Sequence, residues 1–249
     1  MSIVALALVA AGSVAAWWLH LRGPRGRLLP APAFDEDAAI AIHVARHDLK
    51  GRAQAPSTLH LLYGLLQVDR VTAAIAASGG DVAALEDRVL DALATGEPAD
   101  DEALQRLLVR ASTFAHHGGR PITCADLWAF HAGSRAAAVL AAASIDLHAV
   151  LFWLVHDEPP PDLAPALTSD VYVVLKNDGY STMELVVEVL VEDFGLAREP
   201  ATELMMAVHT AGRGVVGRYS LTRARDLVLA ARARAAAGGW PLWIGVEPA

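Results

Sequence analysis

Hydrophobic and polar positions change their rhythm several times along this chain. Ser2 to Leu19 reads SIVALALVAAGSVAAWWL and carries no charge. As a helix it would span roughly 27 Å, close to a bilayer core. Trp17 and Trp18 end the run, and Arg22, Arg25 and Arg27 follow. A cleaved signal peptide would place its basic residues first. The order here predicts a single-pass anchor over residues 1–22, with everything after Arg22 in the cytoplasm. Residues 23–34 (GPRGRLLPAPAF) read as a Pro/Gly-punctuated linker.

From residue 35 to 156 the apolar period is helical. Ile40, Val44 and Ala45 form one stripe; Leu59, Leu62, Leu65 and Leu66 form another. Pro56-Ser57-Thr58 predicts a helix start with a hydroxyl cap, and Gly79-Gly80-Asp81 a break. Gly96 to Asp101 is a polar connector. The pattern then restarts. Ala111 to His117 echoes Val44 to Lys50, Pro121 to Trp128 echoes Ala55 to Leu62, and Ile145-Asp146-Leu147 echoes Gly80-Asp81-Val82. The offset is about 65 residues.

Residues 157–169, opening on Asp157-Glu158-Pro159-Pro160-Pro161, are a Pro-rich linker, and beyond them the period changes again. Asp170 to Lys176 (DVYVVLK) is β-branched and apolar, a strand. Asn177-Asp178-Gly179-Tyr180 is a turn by its chemistry. Ser181-Thr182-Met183-Glu184 predicts a capping box, with Ser181 as cap and Glu184 reaching back. A helix lined by Met183, Val186, Val187 and Leu190 follows. A second begins near Pro200, pairs Met205 with His209 four residues on, and stops at Gly212. Gly214 to Tyr219 predicts an extended stretch with a tight turn, Thr222 to Ala237 a third helix, and Trp240 to Val246 a closing strand. Residues 170–249 thus form a small α+β domain of order β-α-α-β-α-β.

Composition narrows the function. Net charge is −8, which argues against a nucleic-acid partner. Cys124 is the one cysteine, so no multi-cysteine metal site is possible. His43 and His47 sit at i, i+4, but HVARH lacks the Glu of HExxH and no third ligand accompanies it. No GxxxxGK[ST] loop occurs. No cofactor, metal site or catalytic constellation is expected, and the protein reads as a non-enzyme.

Two resemblances carry the reading further. VVLKNDGYSTMELVVEVL, ATELMMAVHTAGRGVVG and GGWPLWIGVEPA, in that order, resemble the adaptor family ClpS over about residues 168–249. The resemblance implies an adaptor that binds free protein N-termini with bulky apolar first residues and delivers them to an ATP-dependent Clp protease. It assigns α-amino binding to Asn177, Asp178 and His209. It assigns the hydrophobic pocket to Met183, Val186, Met205 and Leu242, with Met183 as gatekeeper against β-branched first residues. Residues 35–156 resemble the double repeat of the Clp ATPase N-terminal domain through His60-Leu61-Leu62, Leu65-Leu66 and Gly80-Asp81-Val82, which implies an all-helical docking module. The expected partners are substrate N-termini, a Clp ATPase or protease, the membrane, and a contact between the two modules themselves.

The chain also departs from the ClpS pattern. Gly179 stands where the family has a second carboxylate, Ser181 and Thr182 where it has Thr and Pro, and Trp240 where it has His. The family's charged contacts to a Clp N-domain fall at Thr222 and Leu227, and neither carries a charge. A second reading follows from these losses: a regulatory or scaffold protein that has the folds but does not bind N-termini.

Overall fold

The structure is a computed structural model, and it describes residues 33–51, 56–95, 100–131, 133–163 and 170–249. The candidate anchor Ser2–Leu19 lies outside the described residues. Among the described residues no single helix is long and apolar enough to cross a membrane. The chain divides into two compact units at Val150/Leu151, and each has its own architecture.

The first unit is helical. Its helices are α1 (Glu36–Gly51), α2 (Thr58–Leu65), α3 (Asp69–Ala77), α4 (Val82–Ala94), α5 (Asp101–His117), α6 (Cys124–Ala129) and α7 (Arg135–Ala142), and it includes the start of α8 (Leu147–His156). The helices starting at Glu36, Thr58, Asp69 and Val82 recur at Asp101, Cys124, Arg135 and Leu147, 65 or 66 residues on. Local chemistry recurs with them. Asp81 Oδ1 accepts the Ala84 amide at 3.0 Å, and Asp146 Oδ1 accepts that of Ala149 at 3.1 Å. Ser57 Oγ lies 2.7 Å from His60 Nδ1 at the start of α2, and Thr123 pairs with Asp126 in a capping box at the start of α6.

Two expectations change here. Ser57 occupies the N-cap of α2, but its hydroxyl does not cap. Asp100, 42 residues away, takes that role. It accepts the Thr58 amide at 2.8 Å and the Arg135 amide at 3.1 Å, so one carboxylate serves the starts of α2 and α7. In α1 the buried stripe is Ala38, Ala41, Ile42 and Ala45, while Ile40 and Val44 are only half-buried. The reason is close packing. A Cβ on Gly64 would lie 2.0 Å from the Ala41 carbonyl oxygen, so small residues meet where α1 and α2 come together.

The second unit runs from Leu151. It holds the end of α8, then β1 (Asp170–Lys176), α9 (Met183–Glu192), α10 (Arg198–Ala211), β2 (Arg213–Ser220), α11 (Leu221–Ala237) and β3 (Ile244–Pro248). The sheet is antiparallel with β1 in the centre, in the order β2-β1-β3. Val171, Val173 and Leu175 face a core built with the helices, including Leu185, Val189, Val208, Val228 and Leu242. Val174 points the other way and packs with Phe152 and Trp243. Around Val174 both faces of β1 are therefore covered, and the strand is apolar on both sides there, while Tyr172 on the same face as Val174 is exposed. Because Phe152 packs there, the unit begins inside α8 and not in the Pro-rich stretch.

Three local expectations are corrected. Gly214 to Tyr219 contains no turn; β2 is one strand with a bulge opposite Val173/Val174. The last strand is Ile244–Pro248 and not Trp240–Val246, because the Trp240 amide closes the end of α11 on Ala235 O at 2.9 Å and Pro241 has no amide hydrogen to pair. The N-cap of α9 is Thr182, whose hydroxyl accepts the Leu185 amide at 3.2 Å, and not Ser181.

Candidate functional site

The turn after β1 is pinned at both ends. The Asn177 amide donates to Gly212 O at 2.8 Å, tying the turn to the end of α10. Gly212 takes φ 81°, the left-handed conformation that glycine adopts without a Cβ clash, and so ends that helix. His209 lies in the last turn of α10, three residues before this tie. Asp178 holds the other end. Its Oδ1 accepts the Tyr180 amide at 2.8 Å and also the Ser181 amide.

The second oxygen of Asp178 is different. Oδ2 is buried and has no hydrogen-bond partner among the described residues, and the same holds for the Ser181 Oγ. Buried polar atoms normally find partners, and leaving one unpaired costs about 1–3 kcal/mol, more for a charge. A carboxylate oxygen so placed can still accept a hydrogen bond, and a cationic donor would give the strongest one. Asn177 and His209 are both exposed; Asn177 precedes Asp178, and His209 lies three residues before the carbonyl that holds the Asn177 amide.

The four pocket residues divide in two. Met205 and Leu242 are buried in the core, and Val186 packs against it half-buried. Met183, the first residue of α9, is 41% exposed. Three of the four thus belong to the core, and Met183 is the one exposed to solvent. Among the described residues no cluster of three or more His, Cys, Asp or Glu is placed to hold a metal ion. His43 and His47 share a helix face, with ring centroids 6.5 Å apart.

The departures have structural contexts. A Cβ at Gly179 would meet nothing within 4 Å, so the missing carboxylate is a chemical change and not a steric one. Thr222 is exposed and Leu227 is buried. Sequence reasoning missed two features. Ser181 read as a cap, yet its hydroxyl is turned inward beside Asp178. A group behind the site, made by His156, Glu158, Lys176 and Trp243, gave no local signal because its members lie far apart in the chain.

Comparison with known proteins locates the same region. The family model for the ATP-dependent Clp protease adaptor protein ClpS matches residues 167–245. The ClpS adapter of Oleidesulfovibrio alaskensis is 43% identical over 75 residues, covering 30% of this chain and 72% of the relative. That of Nitratidesulfovibrio vulgaris is 39% identical over 97 residues, covering 34% of this chain and 93% of the relative. Among solved structures, Agrobacterium tumefaciens ClpS2 bound to L-phenylalaninamide is 28% identical, with a TM-score of 0.32, covering 33% of this chain and 99% of that one. Sequence identity over nearly a whole relative, and a family model ending within β3, agree with the β-α-α-β-α-β order: through its C-terminal third, this chain belongs to the ClpS family of Clp protease adaptors.

Proposed function

We propose that the C-terminal domain binds free protein N-termini whose first side chain is bulky and apolar, and passes them to a Clp ATPase that feeds a protease. The carrying observation is the buried Asp178 Oδ2, which has no hydrogen-bond partner among the described residues. A peptide's terminal ammonium supplies the cation that oxygen lacks, in a charge-assisted bond of about 1.5–3 kcal/mol. Asn177 and His209 accept its remaining hydrogens. The first side chain lies against Met183, Val186, Met205 and Leu242, where burial contributes roughly 1.5–3 kcal/mol. This chain only binds; peptide-bond cleavage belongs to the partner.

The test is fluorescence anisotropy of a labelled Leu-initiated peptide against its N-acetylated twin. Acetylation removes the charge and two donors, so the free peptide should bind much more tightly. Equal binding would remove the reading. The scaffold alternative would then stand, favoured by Gly179 and by the uncharged Thr222 and Leu227.

The helical unit fits the same scheme as a docking module similar to a Clp N-terminal domain. Its two runs of four helices support that reading. The uncharged run Ser2–Leu19, followed by arginines, supports action at the membrane. Cell fractionation should find the full chain in the membrane fraction and a chain lacking residues 2–19 in the soluble one. A full chain that stays soluble would remove the membrane from the scheme.

A further inference from the structure

We infer that Phe152, His156 and Glu158, which precede the ClpS-matched region, brace both walls of the N-terminus site from behind the sheet and so set its affinity and selectivity. The inference rests on the binding reading above. Its starting point is where their contacts land. Glu158 Oε1 accepts Lys176 Nζ at 3.0 Å and Trp243 Nε1 at 2.7 Å. Lys176 is the residue before Asn177-Asp178. His156 Nε2 lies 2.6 Å from Pro241 O, and since a carbonyl only accepts, that nitrogen donates. Pro241 and Trp243 are the neighbours of Leu242. Two short side chains thus reach the residues adjoining the ammonium turn and the apolar wall.

The walls are also linked to each other. The Lys176 amide donates to Trp243 O at 3.2 Å, and the Lys176 ammonium sits 3.8 Å over the Trp243 ring. Leu242 points into the helix-covered core while Trp243 points to the opposite face, beside Phe152 and Val174. Holding Trp243 and Pro241 therefore fixes how deep Leu242 stands. The His156 ring packs on Phe152, tilted by 42° with centroids 4.4 Å apart, which anchors the brace in turn.

Magnitudes separate positioning from stability. The Lys176 and Glu158 side chains are 41% and 48% exposed. An ion pair that open adds little to global stability. The hydrogen bonds of Glu158 to Lys176 and to Trp243 hold its carboxyl below the usual carboxylate range, so it is charged at neutral pH.

The experiment uses the full chain, wild type and the double variant His156→Ala/Glu158→Ala, with His156→Gln/Glu158→Gln as the conservative pair. Glutamine restores a donor to Pro241 and an acceptor to Trp243. Amide hydrogen exchange is read first, because it needs no ligand. The Lys176 and Asn177 amides should exchange on the order of ten times faster in the alanine pair, with the Val173 amide unchanged. The glutamine pair should restore most of the protection. Anisotropy with Leu- and Trp-initiated peptides is read second. The alanine pair should weaken binding roughly three- to tenfold and change the Leu-to-Trp ratio, and the glutamine pair should restore both. Unchanged exchange and an unchanged ratio would overturn the brace. Faster exchange in a protein whose wild type cannot tell free from acetylated peptide would keep the brace and remove the binding reading.

Discussion

Replacing Gly64 with alanine should strongly destabilise the helical unit. On an open helix the same change would stabilise by roughly 0.5–1 kcal/mol, because alanine is the better helix former. Here the new Cβ would lie 2.0 Å from the Ala41 carbonyl oxygen, 2.9 Å from its carbon and 3.1 Å from the Ala45 nitrogen. All three are backbone atoms of α1. No rotamer change relieves such a clash, so α1 and α2 must separate. Overpacking in a core usually costs about 1–3 kcal/mol, and a backbone collision belongs at or beyond the upper end. Separation would also loosen the buried Leu61, Leu62 and Leu65 on α2. Thermal melts followed by circular dichroism should show the helical signal lost many degrees earlier in Gly64→Ala. An unchanged midpoint would mean that α1 and α2 do not meet this way.

Removing the free oxygen of Asp178 should abolish most peptide binding. Asp178→Ala leaves the incoming ammonium without its anion, a loss on the order of 2–3 kcal/mol, or about 30- to 150-fold in affinity. Alanine also releases the Tyr180 and Ser181 amides, so the turn itself would change. Asp178→Asn is the sharper test. Those two amides need an acceptor, so the asparagine oxygen takes their side and its NH2 faces the ligand. The turn survives while the ammonium meets a donor in place of an acceptor. Both variants should therefore lose affinity to a similar degree. Met183→Ala should behave otherwise. It trims the exposed edge of the pocket, so Val- and Ile-initiated peptides gain relative to Leu while the ammonium contacts persist. Titration of the free Leu peptide by anisotropy separates these outcomes. Wild-type affinity in Asp178→Asn would show that Oδ2 is not where the amine sits.

Much of the small α+β domain was legible from period and punctuation. The apolar run 170–176, the turn chemistry after it and Gly212 at a helix end each depend on near neighbours, and each has a local signature. The capping residue was not legible. Ser181 and Thr182 are adjacent hydroxyls, and either can cap; Asp178 holds the Ser181 amide, so the chain enters α9 one residue later. Asp100 capping α2 and α7 could not be read either, since its partners lie 42 and 35 residues away. The alanine stripe of α1 was hidden for a related reason. A hydrophobicity pattern rewards large residues, whereas Gly64 on the facing helix selects small ones. Of the candidate site, residue identities were legible and Asp178 pointed to a cation. That one of its oxygens is engaged by the turn and the other free is a matter of three-dimensional closure.

The bulge in β2 decides the parity of the chain beside the site. Val173 pairs with Gly217 but Val174 with Val215, so Val216 is a supernumerary residue. A strand alternates its faces with every residue, and one extra position inverts everything beyond it. That inversion is what sets Gly214 against α10, where even a Cβ would come 2.6 Å from the Val208 side chain. Regular pairing through Val216 would instead put Val215 opposite Leu175, turned toward the helix that carries Met205 and His209. By absorbing Val216, the bulge keeps a branched side chain out from between β2 and that helix, so the candidate site depends on how the strand is paired as much as on which residues it holds.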